Sequence, residues 1–239
     1  MRSERHCTPG SPGLRDKGAS VRTGAAFHAK RYCFSSKAVI RDGRALRLLR
    51  RAQSFRLRSV DKALTGAAGE FFVAAELARR GWRPSITPRG VERTDVLAQN
   101  SESGRVVALQ VKTATTNVFR LGLKDEQPAH AQDEWFVLVT LGEEEVRPRY
   151  FVLPTNVIAG WLYVEHRVWL SGTKRDGAPR KDTPIRAIRM NEIDAVYEEG
   201  WDLLNAPADN APVRVPERIL EGASGIDWPD GHPGLSALQ

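Results

Sequence analysis

The sequence predicts a mixed α/β domain of the α+β kind, with a central mixed β-sheet flanked by helices. Three observations predict it. A helical pattern, GAAGEFFVAAELARRG at 66–81, is closed by a glycine. Four apolar runs, TDVLAQ, RVVALQVKTAT, WFVLVTL and RYFVLP, have strand length and are separated by polar, turn-rich segments. The order, a helix followed by strands, then a helix and a strand, is that of a sheet covered on its faces.

The chain of 239 residues has room for one ordinary domain with tails, and its hydrophobic fraction of 41% suffices for a packed core. No apolar run approaches the roughly 18 residues of a membrane span. The first thirty residues lack the apolar stretch of a secretory signal. Cys7 and Cys33 belong to no metal-ligand spacing, so a reducing cytoplasm is the expected compartment. Charge is unevenly distributed. Residues 1–60 carry 15 Lys+Arg against 3 Asp+Glu, a net of +12, and the remainder carry 21 against 26, a net of −5. A basic arm on an acidic body is compatible with nucleic-acid contact, but the body itself is not a basic DNA-binding surface.

Residues 1–59 are rich in Arg, Ser and Gly without a sustained hydrophobic period, and read as a disordered leader with one short basic helix at 44–53. It is read as a phosphate-binding arm, a targeting segment, or sequence upstream of a true start at Val60; the last is preferred. Residues 60–204 form the domain. Its first helix is expected over 67–80, with Arg79 and Arg80 suiting the last turn and Gly81 the stop. Strands follow at 82–87, 94–99 and 105–115, the last two joined by the turn NSESG. A short strand is expected at 118–123, a polar loop or short helix at 124–134, strands at 135–141 and 149–154, and a short helix at 154–162. NEIDAVYEEGWDLL (191–204) reads as a final amphipathic helix capped by Asn191. Residues 205–239, with five prolines, read as a mobile tail. Trp82, Trp135, Trp161, Trp169 and Trp201 are expected to be core or packing residues.

The strand LQVKT (109–113) raises a question. Gln110 and Lys112 share one face of an otherwise apolar strand, and burying an amide and an ammonium costs several kcal/mol unless each finds partners. Closing the hairpin over Glu102 and Ser103 makes opposed residues sum to 205, which sets Asp95 opposite Gln110. In the first helix, Val73 and Leu77 follow Glu70 by three and seven residues, which puts Glu70 on the apolar stripe facing the sheet. Glu76 is expected on a solvated face. Gly66 and Gly69 permit a close backbone approach. Two carboxylates and an amide oxygen can hold a hard divalent cation such as Mg²⁺, and a lysine beside it can stabilise charge on a phosphate.

The ordered set Glu70, Asp95, Gln110-Val111-Lys112 resembles the PD-(D/E)XK nuclease superfamily. More closely, it resembles small bacterial endonuclease-like domains with G-x-x-G-E, D-V-L-A and Q-V-K-T motifs. The resemblance covers 64–115 well and weakens beyond. It implies a restriction-endonuclease-like αβββαβ core and hydrolysis of phosphodiester bonds with Mg²⁺ or Mn²⁺. By that resemblance Asp95 is the central metal ligand, Gln110 stands where the family more often has an acid, and the Val111 carbonyl is a backbone ligand. Glu70 is a direct or outer ligand, and Lys112 positions the attacking water or stabilises the transition state. Thr94 stands where the family has proline. Arg89 and Arg93 precede Asp95, where a phosphate could pass, although a solvated loop is the simpler reading; His130 reads as solvated. The implied partner is nucleic acid, DNA in the first place, with no membrane and with a homodimer as a candidate assembly. Gln110 lowers the side-chain charge at the site, and a catalytically weakened nucleic-acid-binding or interaction module on the same fold is the alternative.

Overall fold

The computed structural model describes residues 61–88, 92–143, 146–230, 232 and 238. The expectations for the leader, for both cysteines and for Arg89 and Gly90 lie outside the described residues.

Helix α1 spans Lys62–Arg79 and starts five residues ahead of expectation. Its start signal is Asp61, whose carboxylate accepts from the Ala63 N–H at 3.0 Å. Strands β1 (Trp82–Ile86), β2 (Val96–Asn100) and β3 (Val106–Ala114) follow as an antiparallel meander. A short strand β4 (Val118–Gly122) and a 3₁₀ turn at Leu123–Glu126 lead to β5 (Glu134–Thr140), which runs parallel to β3. Strand β6 (Arg149–Pro154) pairs antiparallel with β5, and α2 (Thr155–Ser171), β7 (Ile185–Arg189) and α3 (Glu217–Ala223) complete the order. The central mixed sheet has the order β1-β2-β3-β5-β6, and β4 pairs with β7 in a separate ribbon. The fold class is the expected one.

The β2–β3 hairpin has the register its symmetry predicts. Val96 pairs with Leu109 and Ala98 with Val107. The Asn100 side-chain carbonyl accepts from the N–H groups of Glu102 and Ser103, at 2.9 and 3.0 Å, and Gly104 turns with φ of +73°.

The sheet buries both faces. On one, Val96, Leu109, Val111, Trp135 and Val137 pack under Val73 and Leu77 of α1. On the other, Phe136, Leu138, Phe151 and Leu153 pack against Ile158, Trp161 and Leu162 of α2. Strand β5 is therefore apolar at every interior position, as a strand covered on both faces must be. Gly69 is where α1 meets β3. A Cβ there would lie 1.9 Å from the Thr113 hydroxyl oxygen, whereas one at Gly66 would meet open space. Gly69→Ala is expected to destabilise the domain by about 1–3 kcal/mol despite the better helix propensity of alanine. Adding Thr113→Ala should return most of that loss in urea denaturation.

Several expectations are corrected. Glu76 is buried, not solvated, because Gly69, Val73, Glu76 and Leu77 form the inward stripe. It is held by Arg79 at 3.0 Å, by Arg80 and by Arg147 at 3.3 Å. Burial alone would raise its carboxyl pKa, but the Arg80 hydrogen bond and the charges of Arg147, Arg80 and Arg79 outweigh it and hold it below its ordinary 4.5. A depressed folded-state pKa gives stability that is present above that value and lost as pH falls through the folded pKa. The stability gap between wild type and Glu76→Gln is thus expected to close as acid denaturation proceeds below about pH 4.5.

The final helix is replaced by 3₁₀ turns at Met190–Glu192, Ala195–Tyr197 and Trp201–Asn205. The inward residues Ile193, Tyr197, Trp201 and Leu204 keep the helical spacing, but Asp194 caps a new turn through the Val196 N–H at 2.9 Å. Glu199, with φ of +52°, ends that turn. The described part of 205–239 adds further packed residues. Helix α3 buries Ile219 and Ala223, and Leu238 packs into the same core. Helix α2 runs nine residues beyond expectation, and β7 was not anticipated. Of the five tryptophans expected as core or packing residues, Trp169 is 39% exposed and stacks on the His166 ring, and the other four are buried.

Candidate active site at a split in the sheet

Pairing between β2 and β3 stops at Val96–Leu109, with one further bond from the Asp95 N–H to the Leu109 carbonyl at 2.9 Å. On its other edge β3 continues to pair with β5 as far as Ala114–Thr140. Residues 111–114 are therefore joined to the sheet on one side. The first open position is filled by a side chain: the Val111 N–H donates to Asp95 Oδ2 at 2.7 Å. A carboxylate stands where a strand carbonyl would, which fixes its orientation and leaves its second oxygen for other work.

Continuing the register by one residue sets Asp95 beside Gln110. Gln110 and Lys112 alternate with Leu109 and Val111, so they face the α2 side of the sheet, level with Phe136 and Leu138 of β5. Gln110 is 7% exposed. The Lys112 side chain is 20% exposed, and its Nζ lies 3.1 Å from Asp125 Oδ1. The question raised by this strand thus has a partly different answer from the one the sequence suggested: the protein partner of the lysine is Asp125.

Sequence reasoning missed Asp125, which lay in a segment read as a polar loop or short helix. It is 3% exposed, in the 3₁₀ turn after β4. Its second oxygen accepts from the Gly122 N–H at 2.7 Å. The next residue, Glu126, is also buried and is paired with the buried Arg186 of β7.

Glu70 lies on α1, which covers the opposite face of the sheet from Gln110 and Lys112. It is half-buried beside the inward stripe and follows Gly69, which sits on Thr113. The structure thus brings Asp95, Gln110 and Lys112 to one face and sets Glu70 by the open edge from the other. Arg93 is half-buried and engaged within the protein rather than solvated. With φ of +63°, its guanidinium donates to the carbonyls of Gln127 and Pro128 at 3.0 and 2.9 Å and lies 3.7 Å from Glu134. It fastens the loop ahead of β5. His130 is exposed, with its ring nitrogen 3.1 Å from Arg93.

The donors at the split are oxygens: the Asp95 carboxylate, the Gln110 amide and the Val111 carbonyl. This set fits a small hard cation that retains much of its water, as Mg²⁺ does with one or two carboxylates. Among the described residues, no group of three or more His, Cys, Asp and Glu that could hold a metal comes together. No helix among them is long and apolar enough to cross a membrane.

No family profile matches the chain. No curated protein matches it. Among solved structures it is similar to a bacterial homing endonuclease at 16% identity and a TM-score of 0.37, over 60% of this chain and 93% of that one. It is also similar to Hjc, a Holliday junction resolvase of the archaeal hyperthermophile Archaeoglobus fulgidus, at 15% identity and a TM-score of 0.33, over 55% and 86%.

Proposed function

We propose that this protein is a metal-dependent endonuclease that hydrolyses phosphodiester bonds of nucleic acid, with DNA as the first substrate class to test. The observation that carries this reading is the split itself, where a backbone-oriented carboxylate, a buried amide and an ion-paired lysine share one sheet face. A strand that needed only packing would fill those positions with apolar side chains. The resemblance of Glu70, Asp95 and Gln110-Val111-Lys112 to the PD-(D/E)XK motifs supports the same chemistry.

In this reading Asp95, Gln110 and the Val111 carbonyl hold Mg²⁺ or Mn²⁺, with Glu70 as an outer partner. The chemistry the ion supplies is water activation near neutral pH and neutralisation of phosphate charge. Asp95 is oriented for that task by the Val111 N–H. The ammonium of Lys112, with three donors and no lone pair, stabilises charge that develops on the phosphate oxygens. Arg93 is given no phosphate contact in this reading, because it already holds the Gln127–Glu134 loop.

Gln110 favours a second reading, a binding module with weakened chemistry, because an amide ligates more weakly than a carboxylate. One assay separates the two. The full chain is incubated with labelled duplex, single-stranded and branched DNA and with RNA, in Mg²⁺, Mn²⁺ or EDTA. Cutting that requires the ion supports the nuclease. Binding without cutting under every condition establishes the second reading in its place.

A further inference from the structure

We infer that Asp125 is a positioning residue for Lys112, acting from a two-carboxylate turn that is bolted to the β4–β7 ribbon. The inference rests on the nuclease reading and extends it to a residue outside the motif.

The turn Leu123–Glu126 places two acids side by side, and each is used once on a cation. Asp125 meets Lys112 of β3 at 3.1 Å, and Glu126 meets Arg186 of β7. The turn cannot drift easily. The Leu123 N–H donates to the Pro184 carbonyl at 2.9 Å, just before β7, and the Arg186 guanidinium also donates to the carbonyls of Thr183 and Ile185. At its other end Asp125 Oδ2 is fixed by the Gly122 N–H at 2.7 Å. Asp125 thus accepts from the backbone with one oxygen and meets Lys112 with the other.

A lysine side chain has four rotatable carbon–carbon bonds and a strongly hydrated head, which makes it a poor fixed charge unless something holds it. Here the Lys112 side chain keeps 20% of its surface exposed. A buried carboxylate on one side of the ammonium leaves its remaining donors to point at a phosphate on the other. This is what preorganised electrostatic stabilisation requires: the charge is in place before the reaction and need not be reoriented during it. Asp125 never touches the substrate. It acts through the lysine.

The test is the isosteric Asp125→Asn, with Asp125→Glu as the charge-conserving variant. In single-turnover cleavage Asp125→Asn is expected to lower the rate by about ten- to a hundredfold with nucleic-acid affinity unchanged. Asp125→Glu should recover part of the rate. In a Lys112→Ala background Asp125→Asn should cost nothing more, because there is no ammonium left to aim. Chemical acylation followed by peptide mass spectrometry reads the pairing without reference to activity: Lys112 should react severalfold faster in Asp125→Asn than in wild type. A wild-type cleavage rate in Asp125→Asn overturns the inference, as does an equal loss in the Lys112→Ala background, which would signal a merely structural role. Unchanged Lys112 acylation also overturns it. A wild-type protein that cuts nothing under any condition overturns instead the nuclease reading on which the inference rests.

Discussion

Lys112→Ala is expected to lower single-turnover cleavage by about 10³-fold, roughly 4 kcal/mol of transition-state stabilisation, while nucleic-acid binding persists. The asymmetry follows from position. The chain is net negative beyond residue 60, and one lysine in the split contributes little to overall affinity. Its charge matters most where negative charge accumulates on the reacting phosphate. The substitution also leaves the Asp125 carboxylate buried without its partner, so some loss of stability accompanies it. The rate must therefore be referred to folded protein, with the melting transition measured alongside. Lys112→Arg is expected to restore little, because a planar guanidinium on a different stem cannot occupy the place of an ammonium 3.1 Å from Asp125. Undiminished cutting by a folded Lys112→Ala protein would remove this lysine from the mechanism.

The largest expected effect on stability is at Arg186→Met. The guanidinium and its partner Glu126 have side-chain exposures of 4% and 8%, so each charge depends on the other. Removing one partner of a buried pair leaves an uncompensated charge and typically costs about 3–5 kcal/mol. That is a large share of the roughly 5–15 kcal/mol that holds a domain folded. The double variant Arg186→Met with Glu126→Leu removes both charges and should recover most of the loss, since apolar replacement of a whole buried pair is often neutral or stabilising. Urea denaturation of the two single variants and the double variant measures this directly. Single variants within about 1 kcal/mol of wild type would show that the pair is solvated in solution and does not fix the turn.

How much of this was legible beforehand follows a physical division. Features set by local periodicity were readable. The two polar residues in LQVKT stand out against a period of two, and the symmetric closure over Glu102 and Ser103 gives the observed register. The stripe of α1 was found, although its outline was one residue off. Val73 and Leu77 were assigned to it together with Glu70, whereas the buried acid is Glu76, seven residues after the close-packed Gly69. Periodicity alone does not distinguish such neighbours, because a glycine carries no hydrophobic signal.

What was not legible depends on contacts between distant parts of the chain. Glu126 and Arg186 are sixty residues apart, and Arg93 reaches 34 and 35 residues ahead to Gln127 and Pro128. No local rule finds such pairs before the topology is known. The stretch 191–204 failed differently. Its apolar spacing is helical and its inward residues are buried as a helix would bury them, but Asp194 and Gly200 offer the backbone shorter i→i+3 turns. At the site, the sequence identified Gln110 and Lys112 because they violate the strand pattern, and Asp95 because the hairpin register sets it opposite Gln110. It missed Asp125, which violates nothing locally.

The most direct test of the central claim, that the split at Asp95 is a metal site serving phosphodiester hydrolysis, needs no knowledge of the substrate. Mn²⁺ is titrated calorimetrically into the full-length wild type and into Asp95→Asn, whose amide oxygen can still accept from the Val111 N–H and so preserve the fold. Saturable binding of Mn²⁺ to wild type that disappears in a normally folded Asp95→Asn protein is the predicted result. Equal binding by the two proteins would place the ion elsewhere and contradict the site.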